Sequence, residues 1–330
     1  MNVEAAKVLP VKAFMNAPAA ARHELNLSYV ELSPYAHEVE QATIEWMQAS
    51  RLLPDTHYLK KAKAMAIWGY AGFSHPFGNI EELTLYSKFI TLWLLWDDLV
   101  VEKTDDLSSI FNGITQAFRC DSDLSSERDP YMLAWRAIAD GYRSLGVSSE
   151  FVHRLGRKMG IWVQTVAREN ASVRAAGKVN PWSHLRRRLI TIGVPPTAQL
   201  LDLHVQDLDR LPAAQRVVLT GAAVVALVNE LVCVEKDMDH VNLVALVQNW
   251  YQCDFESAYG RVVDLCRLSV TKLAAAVEAL PASLQAWGAL VRYMSEGFAY
   301  WHFVCSRYNG ERIHCRVAHD TVVDRPAYAI

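Results

Sequence analysis

Two apolar stretches of this sequence end in side chains that could bind a cation. Residues 83–102, LTLYSKFITLWLLWDDLVVE, are mostly apolar up to the adjacent carboxylates Asp97 and Asp98, and Glu102 follows. On one continuous helix, Asp98 and Glu102 would be i, i+4 neighbours, with Asp97 at the edge of their face. A buried unpaired carboxylate is costly, whereas Mg²⁺ prefers oxygen ligands. The stretch therefore indicates either a magnesium site or a solvated helix end before the acidic turn 103–106.

The second stretch has the same design. Residues 218–238, VLTGAAVVALVNELVCVEKDM, are rich in alanine, valine and leucine and then turn polar. Asn229, Cys233 and Asp237 are spaced i, i+4, i+8, so they would share one face of a helix. Metal and ligand sites in helical bundles are built between facing helices. The two stretches together therefore predict one metal site between two helices.

Composition limits the class of protein. The chain has 330 residues, of which 52% are hydrophobic, and this is enough for a large core. A net charge of −3 gives no indication of nucleic-acid binding. Six scattered cysteines without C-x-x-C pairs make a zinc site unexpected and suit reduced thiols in a cytoplasm. The region 211–228 comes nearest to a transmembrane length of about 18 apolar residues, but Arg216 and its alanine content favour a buried helix.

The periodicity of the apolar residues predicts an all-α, single-domain protein without strands or internal repeats. Residues 1–34, with three prolines, are expected to form a loose arm, and the tail 309–330 a polar loop. Thr104 is a plausible N-cap for one helix, with Asp105 and Asp106 in its first turn. The expected helices, besides the one that carries Asp97 and Asp98, cover 36–53, 57–72, 104–119, 131–145, 149–176, 181–192, 197–209, 213–238, 253–279 and 284–307.

With these two motifs, the chain resembles the bacterial class I terpene synthases over most of residues 60–310. Their aspartate-rich motif is similar to the D-D-x-x-x-E run from Asp97 to Glu102. Their Asn-Ser/Thr-Glu motif is similar to the run 229–237, in which Asn229 and Lys236 fit. Cys233 stands where that family has a hydroxyl, and Asp237 stands where it has glutamate. A thiol is a soft ligand and a poor match for Mg²⁺.

Two further elements carry the resemblance. Arg307-Tyr308 is similar to the family's Arg-Tyr pair, which contacts diphosphate. Arg188, followed by Thr191, Ile192 and Gly193, is the best match for the diphosphate-sensing arginine and its helix break, and Arg187 is the competing assignment. Asn242-Leu243-Val244 also resembles the family.

The resemblance implies a site that binds a prenyl diphosphate through three Mg²⁺ ions. Its metal ligands would be Asp97, Asp98, Glu102, Asn229, Cys233 and Asp237. Arg188, Arg307, Lys236 and Tyr308 would contact the diphosphate. Substrate-contacting residues would be the helix-break pair Ile192 and Gly193 and, as candidates for stabilising a cation, the aromatic residues Trp68, Phe89, Trp93, Trp96, Phe298 and Trp301. For each aromatic residue, core packing is the alternative interpretation, and His302 is expected to be a surface or packing residue.

The resemblance implies a terpene synthase with a catalytic domain at 35–310, a helical bundle around a central apolar cavity, and a tail at 311–330. We expect Mg²⁺-dependent ionisation and cyclisation of farnesyl diphosphate in the cytoplasm, with no nucleic-acid or membrane partner. Geranyl and geranylgeranyl diphosphate stay open as substrates, and so does a homodimer. A prenyl-chain-elongating synthase is disfavoured because that family has a second D-D-x-x-D motif. A helical interaction protein that lost activity through Cys233 is the non-enzymatic alternative.

Overall fold

The computed structural model of the chain describes residues 25–27, 30–104, 107–119, 127–174, 179–203, 208–234 and 241–305, the side chains of 102, 170–174, 209 and 304 excepted. Thirteen α-helices and no strand occur in these ranges, so the prediction of an all-α protein is confirmed. The helices are α1 Ala36–Ala49, α2 Thr56–Ala64, α3 Ile67–Ser74, α4 Ile80–Leu99, α5 Leu107–Ala117, α6 Pro130–Ser144, α7 Ser149–Arg174, α8 Pro181–Thr191, α9 Val194–Gln199, α10 Pro212–Val232, α11 Leu243–Tyr251, α12 Phe255–Glu278 and α13 Gln285–Val304.

The helix that carries the paired aspartates starts with a well-made cap. The side chain of Asn79 accepts hydrogen bonds from the backbone N–H groups of Glu81 and Glu82, which satisfies two donors of the first turn. The helix α4 ends at Leu99, and Glu102 lies in a separate 3₁₀ turn, Val101–Lys103. The expected i, i+4 pairing of Asp98 with Glu102 on one helix is therefore wrong, because the helix ends between them.

The second motif also lies at a helix end. The helix α10 ends at Val232, and Cys233 caps it by donating its backbone N–H to the carbonyl of Asn229. The prediction of a helix over 213–238 was thus too long. Asn229 lies in the last turn of α10, Cys233 lies just past it, and Asp237 lies outside the described residues. A short helix that the sequence reading missed, α11, follows after its N-cap Asn242.

Two further predictions of helix bounds were wrong for backbone reasons. The helix expected over 57–72 is divided into α2 and α3 at Ala66, which has a positive φ of 48°. The helix expected over 197–209 is the short α9, which starts earlier because its first turn accommodates prolines without losing hydrogen bonds. Gly193 separates α8 from α9 with φ of +90°, a conformation that glycine adopts without strain.

Helix α10 lies at the centre of the bundle, against α12 and α13. A Cβ atom at Gly221 would lie 2.4 Å from the Ser295 hydroxyl of α13, so the two helices need a glycine at this crossing. Among the described helices, α10 alone is long and apolar enough to span a membrane, and 67% of its apolar window is buried in the protein. A core helix meets the same criteria, and the packing of α10 is that of a core helix.

Candidate active site

The carboxylates at the end of α4 lie beside a cation from α2. Asp98 forms an ion pair with Lys61, with 2.7 Å between Oδ2 and Nζ, and only 10% of the Asp98 side chain is exposed. The neighbouring Asp97 is half-buried. A positive charge thus already lies against one of the two carboxylates to which the sequence assigns a metal ion.

At the end of α10, the side chains of Asn229 and Arg188 are in contact. The guanidinium Nη2 of Arg188 donates to the amide oxygen Oδ1 of Asn229 at 2.5 Å. The other side of the Asn229 amide faces α13, where its Nδ2 lies 3.1 Å from the Nε2 atom of His302. Asn229 therefore presents its oxygen to the side of α8, where a diphosphate or a cation would be held.

Glu230, the next residue, is a hub that the sequence analysis did not single out. Its Oε1 lies 2.8 Å from Nε of Arg188 and 3.1 Å from Nε2 of His184, both on α8. Its Oε2 accepts the backbone N–H of Leu243 at 2.6 Å, and its carbonyl accepts from the Asn242 amide at 2.8 Å. One buried carboxylate thus joins the end of α10 to α8 and to the start of α11.

The charges of this cluster hold each other in the ionised state. Burial acts to raise the pKa of the Glu230 carboxyl, but the hydrogen bond with His184 and the charge of Arg188 outweigh it, so the pKa is lowered. Burial likewise acts to lower the pKa of Arg188, and the negative charge of Glu230, with a further contribution from Glu169, raises it instead. Arg188 is therefore a fixed positive charge beside Asn229.

Arg188 also reaches the helix break that follows it. Its Nη1 lies 3.4 Å from the hydroxyl of Thr191, and the carbonyl of Thr191 accepts from the Trp162 indole at 2.9 Å. Arg187 has no such link among the described contacts, and its Nε is buried without a hydrogen-bond partner there. The geometry therefore favours Arg188 over Arg187 as the arginine that faces the second motif.

The described donors fit a hard cation better than a soft one. Asp97, Asp98 and Asn229 offer oxygen atoms, which Mg²⁺ prefers. Cys233 is 2% exposed, and its thiol is a soft donor. Within the described ranges, no three His, Cys, Asp or Glu side chains surround one point, so the oxygen donors form two partial sets at two helix ends.

The aromatic candidates divide into a cluster around α4 and single contacts elsewhere. Trp93 covers the helix break, since a Cβ atom at Gly193 would lie 3.1 Å from its ring, and its centroid lies 5.6 Å from Phe89. Trp96 is fully buried against Trp135 and Trp162.

The remaining candidates lie on other helices. Trp68 is half-buried and packs against His37 and Phe73, on the side of α1. Trp301 donates its indole N–H to the carbonyl of Met65 at 2.8 Å, Phe298 is buried one turn before it, and Ile192 is half-buried at the end of α8.

Several predicted site residues lie outside the described part of the chain. They are Lys236, Asp237, Arg307, Tyr308 and the side chain of Glu102. Asp105, Asp106, most of residues 1–34 and residues 311–330 also lie outside the described ranges. Their assignments stay predictions.

Sequence reasoning missed Glu230, His184 and Lys61, and it placed His302 at the surface or in packing, whereas His302 is 3% exposed and contacts Asn229. A charged residue directly after Asn229, in an otherwise apolar helix, was the available signal for Glu230. The link from Lys61 to Asp98 joins separate helices and has no local sequence signature.

Comparison with known proteins identifies the family to which the chain belongs. Residues 88–272, more than half of the chain, match the model of terpene synthase family 2, C-terminal metal binding. The chain is 24% identical over 314 residues to terpene cyclase braA of Annulohypoxylon truncatum, and the match covers 84% of this chain and 82% of that protein.

Solved structures share the fold. The 2-methylisoborneol synthase of Streptomyces coelicolor A3(2), solved in complex with Mg²⁺ and 2-fluoroneryl diphosphate, superposes with a TM-score of 0.76 at 17% identity, covering 86% of this chain and 95% of that one. The linalool/nerolidol synthase of Streptomyces clavuligerus superposes with a TM-score of 0.75 at 18% identity, covering 84% and 99%. The chain belongs to the terpene synthase family and is a terpene synthase.

Proposed function

We propose that this terpene synthase ionises and cyclises farnesyl diphosphate to a cyclic terpene, with three Mg²⁺ ions bound between the ends of α4 and α10. The observation that carries the proposal is the contact of Arg188 with Asn229, because it unites a fixed positive charge with a metal-ligand candidate at one helix end. Asp97, Asp98 and Glu102 would hold metal on the α4 side. Asn229, Asp237 and the position of Cys233 would hold it on the α10 side.

The reaction begins when the bond between C1 of the prenyl chain and the diphosphate oxygen breaks. The electron pair leaves with diphosphate, and an allylic cation remains. When bound, Mg²⁺ supplies Lewis-acid neutralisation of the charge on the leaving group. Arg188, Arg307 and Lys236 would add fixed positive charge, arginine through paired hydrogen bonds to phosphate oxygens, and Tyr308 would donate one more.

The cation must then be kept from water while it cyclises. Trp93 covers the helix break at Gly193 and Phe89 packs edge-on against Trp93, and aromatic faces stabilise a nearby cation by about 0.5–2 kcal/mol each. Trp301 and Phe298 would contribute from α13, and Trp68 and Trp96 from the positions described above. The final cation either loses a proton or captures water.

Cys233 is the position that decides between two readings of the site. In the first, Asn229 and Asp237 hold the ion, and water or another group takes the place of the missing hydroxyl. In the second, metal binding at α10 is weakened and the protein is slow or inactive. The retained Arg188 contacts favour the first reading. In that case Cys233→Ser gives equal or higher turnover, and a large loss would mean that the thiol has a function of its own.

A product assay tests the proposal. The purified protein is incubated separately with geranyl, farnesyl and geranylgeranyl diphosphate, with and without Mg²⁺, and the extracts are separated by gas chromatography with mass detection. We expect a Mg²⁺-dependent cyclic product from farnesyl diphosphate. A product from either other substrate overturns the assigned chain length, and the absence of product from all three supports the inactive alternative. Asp97→Ala and Asn229→Ala are each expected to abolish turnover, and near-normal activity in either contradicts the motif assignment.

We also propose that residues 35–310 form the catalytic domain and that the protein acts in the cytoplasm. The described cysteines, Cys233, Cys253, Cys266 and Cys305, form no disulfide bond with one another, and this supports a reducing compartment.

A further inference from the structure

His302 and Arg188 contact the Asn229 amide from opposite sides. These contacts determine the tautomer of His302 and the orientation of the amide. The Nδ1 atom of His302 lies 2.7 Å from the carbonyl oxygen of Phe298, one turn earlier on α13. A carbonyl only accepts, so Nδ1 carries the proton and donates it. In the neutral ring, Nε2 is then an acceptor, and it lies 3.1 Å from Nδ2 of Asn229.

The amide of Asn229 is thereby held in one of its two orientations. Its NH₂ group donates to His302, and its oxygen faces the guanidinium of Arg188, which can only donate. A flipped amide would bring its oxygen against the acceptor Nε2 and its NH₂ against Arg188, so both hydrogen bonds would be lost. The contacts with His302 and with Arg188 therefore favour the same orientation of the Asn229 amide.

The orientation matters because only the oxygen of an asparagine amide binds a hard cation. Asn229 and His302 are both buried, with exposed fractions of 8% and 3%, so water does not easily replace the histidine as an acceptor. The partner of a metal ligand commonly fixes the ligand's orientation, and its loss typically costs about 10–100-fold in metal affinity.

We propose that His302 is a positioning residue that holds the amide oxygen of Asn229 toward the metal site. The inference rests on the proposed function, because it assumes that Asn229 is a metal ligand. It assigns to His302 no contact with substrate and no proton transfer.

Thermal unfolding tests the inference without turnover. The full-length protein is titrated with Mg²⁺ in the presence of inorganic diphosphate, and the Mg²⁺ concentration at half-maximal rise in Tm is measured. His302→Phe removes the acceptor and is expected to raise this concentration about ten-fold. His302→Leu gives the same test if the larger ring prevents folding. His302→Gln offers an amide oxygen as the acceptor and is expected to restore most of the affinity.

The Asn229→Asp background provides the decisive comparison. A carboxylate has oxygen atoms on both sides, so no orientation has to be chosen. In this background, His302→Phe is expected to change the half-maximal Mg²⁺ concentration less than two-fold. The matched control is His75→Asn, a change at another buried histidine, which packs against Tyr86 and Gly78 and is expected to leave the midpoint unchanged.

Two failures can be told apart. If the wild-type protein gains no Mg²⁺-dependent stability from diphosphate, the proposed metal site is absent and the inference falls with it. If the wild type responds but His302→Phe leaves its midpoint unchanged, the inference alone is overturned. It is equally overturned if His302→Phe weakens Mg²⁺ binding to the same degree in the Asn229→Asp background, because the histidine would then act through general packing.

Discussion

Arg188 and Glu230 form an ion pair, 2.8 Å between Nε and Oε1, in which the same guanidinium also donates to Asn229. The carboxylate is 3% exposed. Because the Nε–H group donates to Glu230, the guanidinium has one fixed orientation, in which its Nη2 is directed at Asn229. The arginine is therefore preorganised before any anion arrives, and preorganised charge is the usual source of large catalytic effects.

The planar fork of Arg188 should be irreplaceable by lysine. Lysine carries the charge but cannot make parallel contacts to Glu230, Asn229 and a phosphate oxygen. We expect Arg188→Lys to lower kcat/KM for the prenyl diphosphate by about 10²–10³-fold, a loss comparable with that of one catalytic donor. The matched change Arg187→Lys should leave kcat/KM close to wild type. Equal losses in the two variants would contradict the choice of Arg188.

Removal of the Glu230 carboxylate should destabilise the protein strongly. Glu230→Ala leaves Arg188 without its partner and the Leu243 N–H without an acceptor, and breaking a buried pair costs about 3–5 kcal/mol. Chemical denaturation measures the free energy of unfolding. The control is Glu150→Ala, which removes an exposed ion pair with Arg157 and should have no measurable effect. If Glu230→Ala lowers the free energy of unfolding no more than this control does, Glu230 does not stabilise the contacts between α8, α10 and α11.

Lys61 should compete with metal for Asp98. Its ammonium group lies 2.7 Å from Oδ2, in the space where a cation ligated by Asp98 would approach. We expect Lys61→Met to lower the Mg²⁺ concentration needed for half-maximal activity by up to about five-fold, the equivalent of a partly exposed pair worth up to about 1 kcal/mol. Lys63→Met, a change two residues away on α2, is the control. A higher Mg²⁺ requirement in Lys61→Met would mean that Lys61 assists binding.

His75 should make the protein less stable in mild acid. Burial lowers the pKa of His75 from 6.5 to about 4, so between these values the unfolded chain binds a proton that the folded protein does not. Its contribution is therefore fully present above pH 6.5 and is lost as the pH falls toward 4, by up to about 3 kcal/mol. His75→Asn should flatten this slope in unfolding measurements across that range. An unchanged slope would assign the acid sensitivity to other groups.

The motifs could be predicted from sequence because they interrupt apolar runs. Asp97 and Asn229 are polar residues in stretches that otherwise bury themselves, so their cost in the core marks them. The all-α fold follows from the helical spacing of apolar residues over nearly every segment. Local patterns of this kind can be read from the sequence without knowing which helices pack against each other.

The remaining features depend on contacts between distant segments. His302 lies 73 residues from Asn229 and Lys61 lies on another helix from Asp98, so no spacing rule connects them. The predictions of helix ends were wrong for a related reason. Ala66 adopts a positive φ that its sequence does not favour. The end of α10 is held against the start of α11 by Glu230, which accepts the backbone N–H of Leu243.

The tryptophan cluster described above gives the protein an optical signal of its own. The ring centroid of Trp162 lies 5.1 Å from that of Trp93 and 6.0 Å from that of Trp96, and Trp135 lies 5.6 Å from Trp96. Indoles this close in fixed mutual orientation couple in their excited states and produce near-ultraviolet circular dichroism. Because Trp93 also covers Gly193, a hydrocarbon chain entering at that helix break would perturb the coupled set, and binding could be followed with an unlabelled, unreactive analogue.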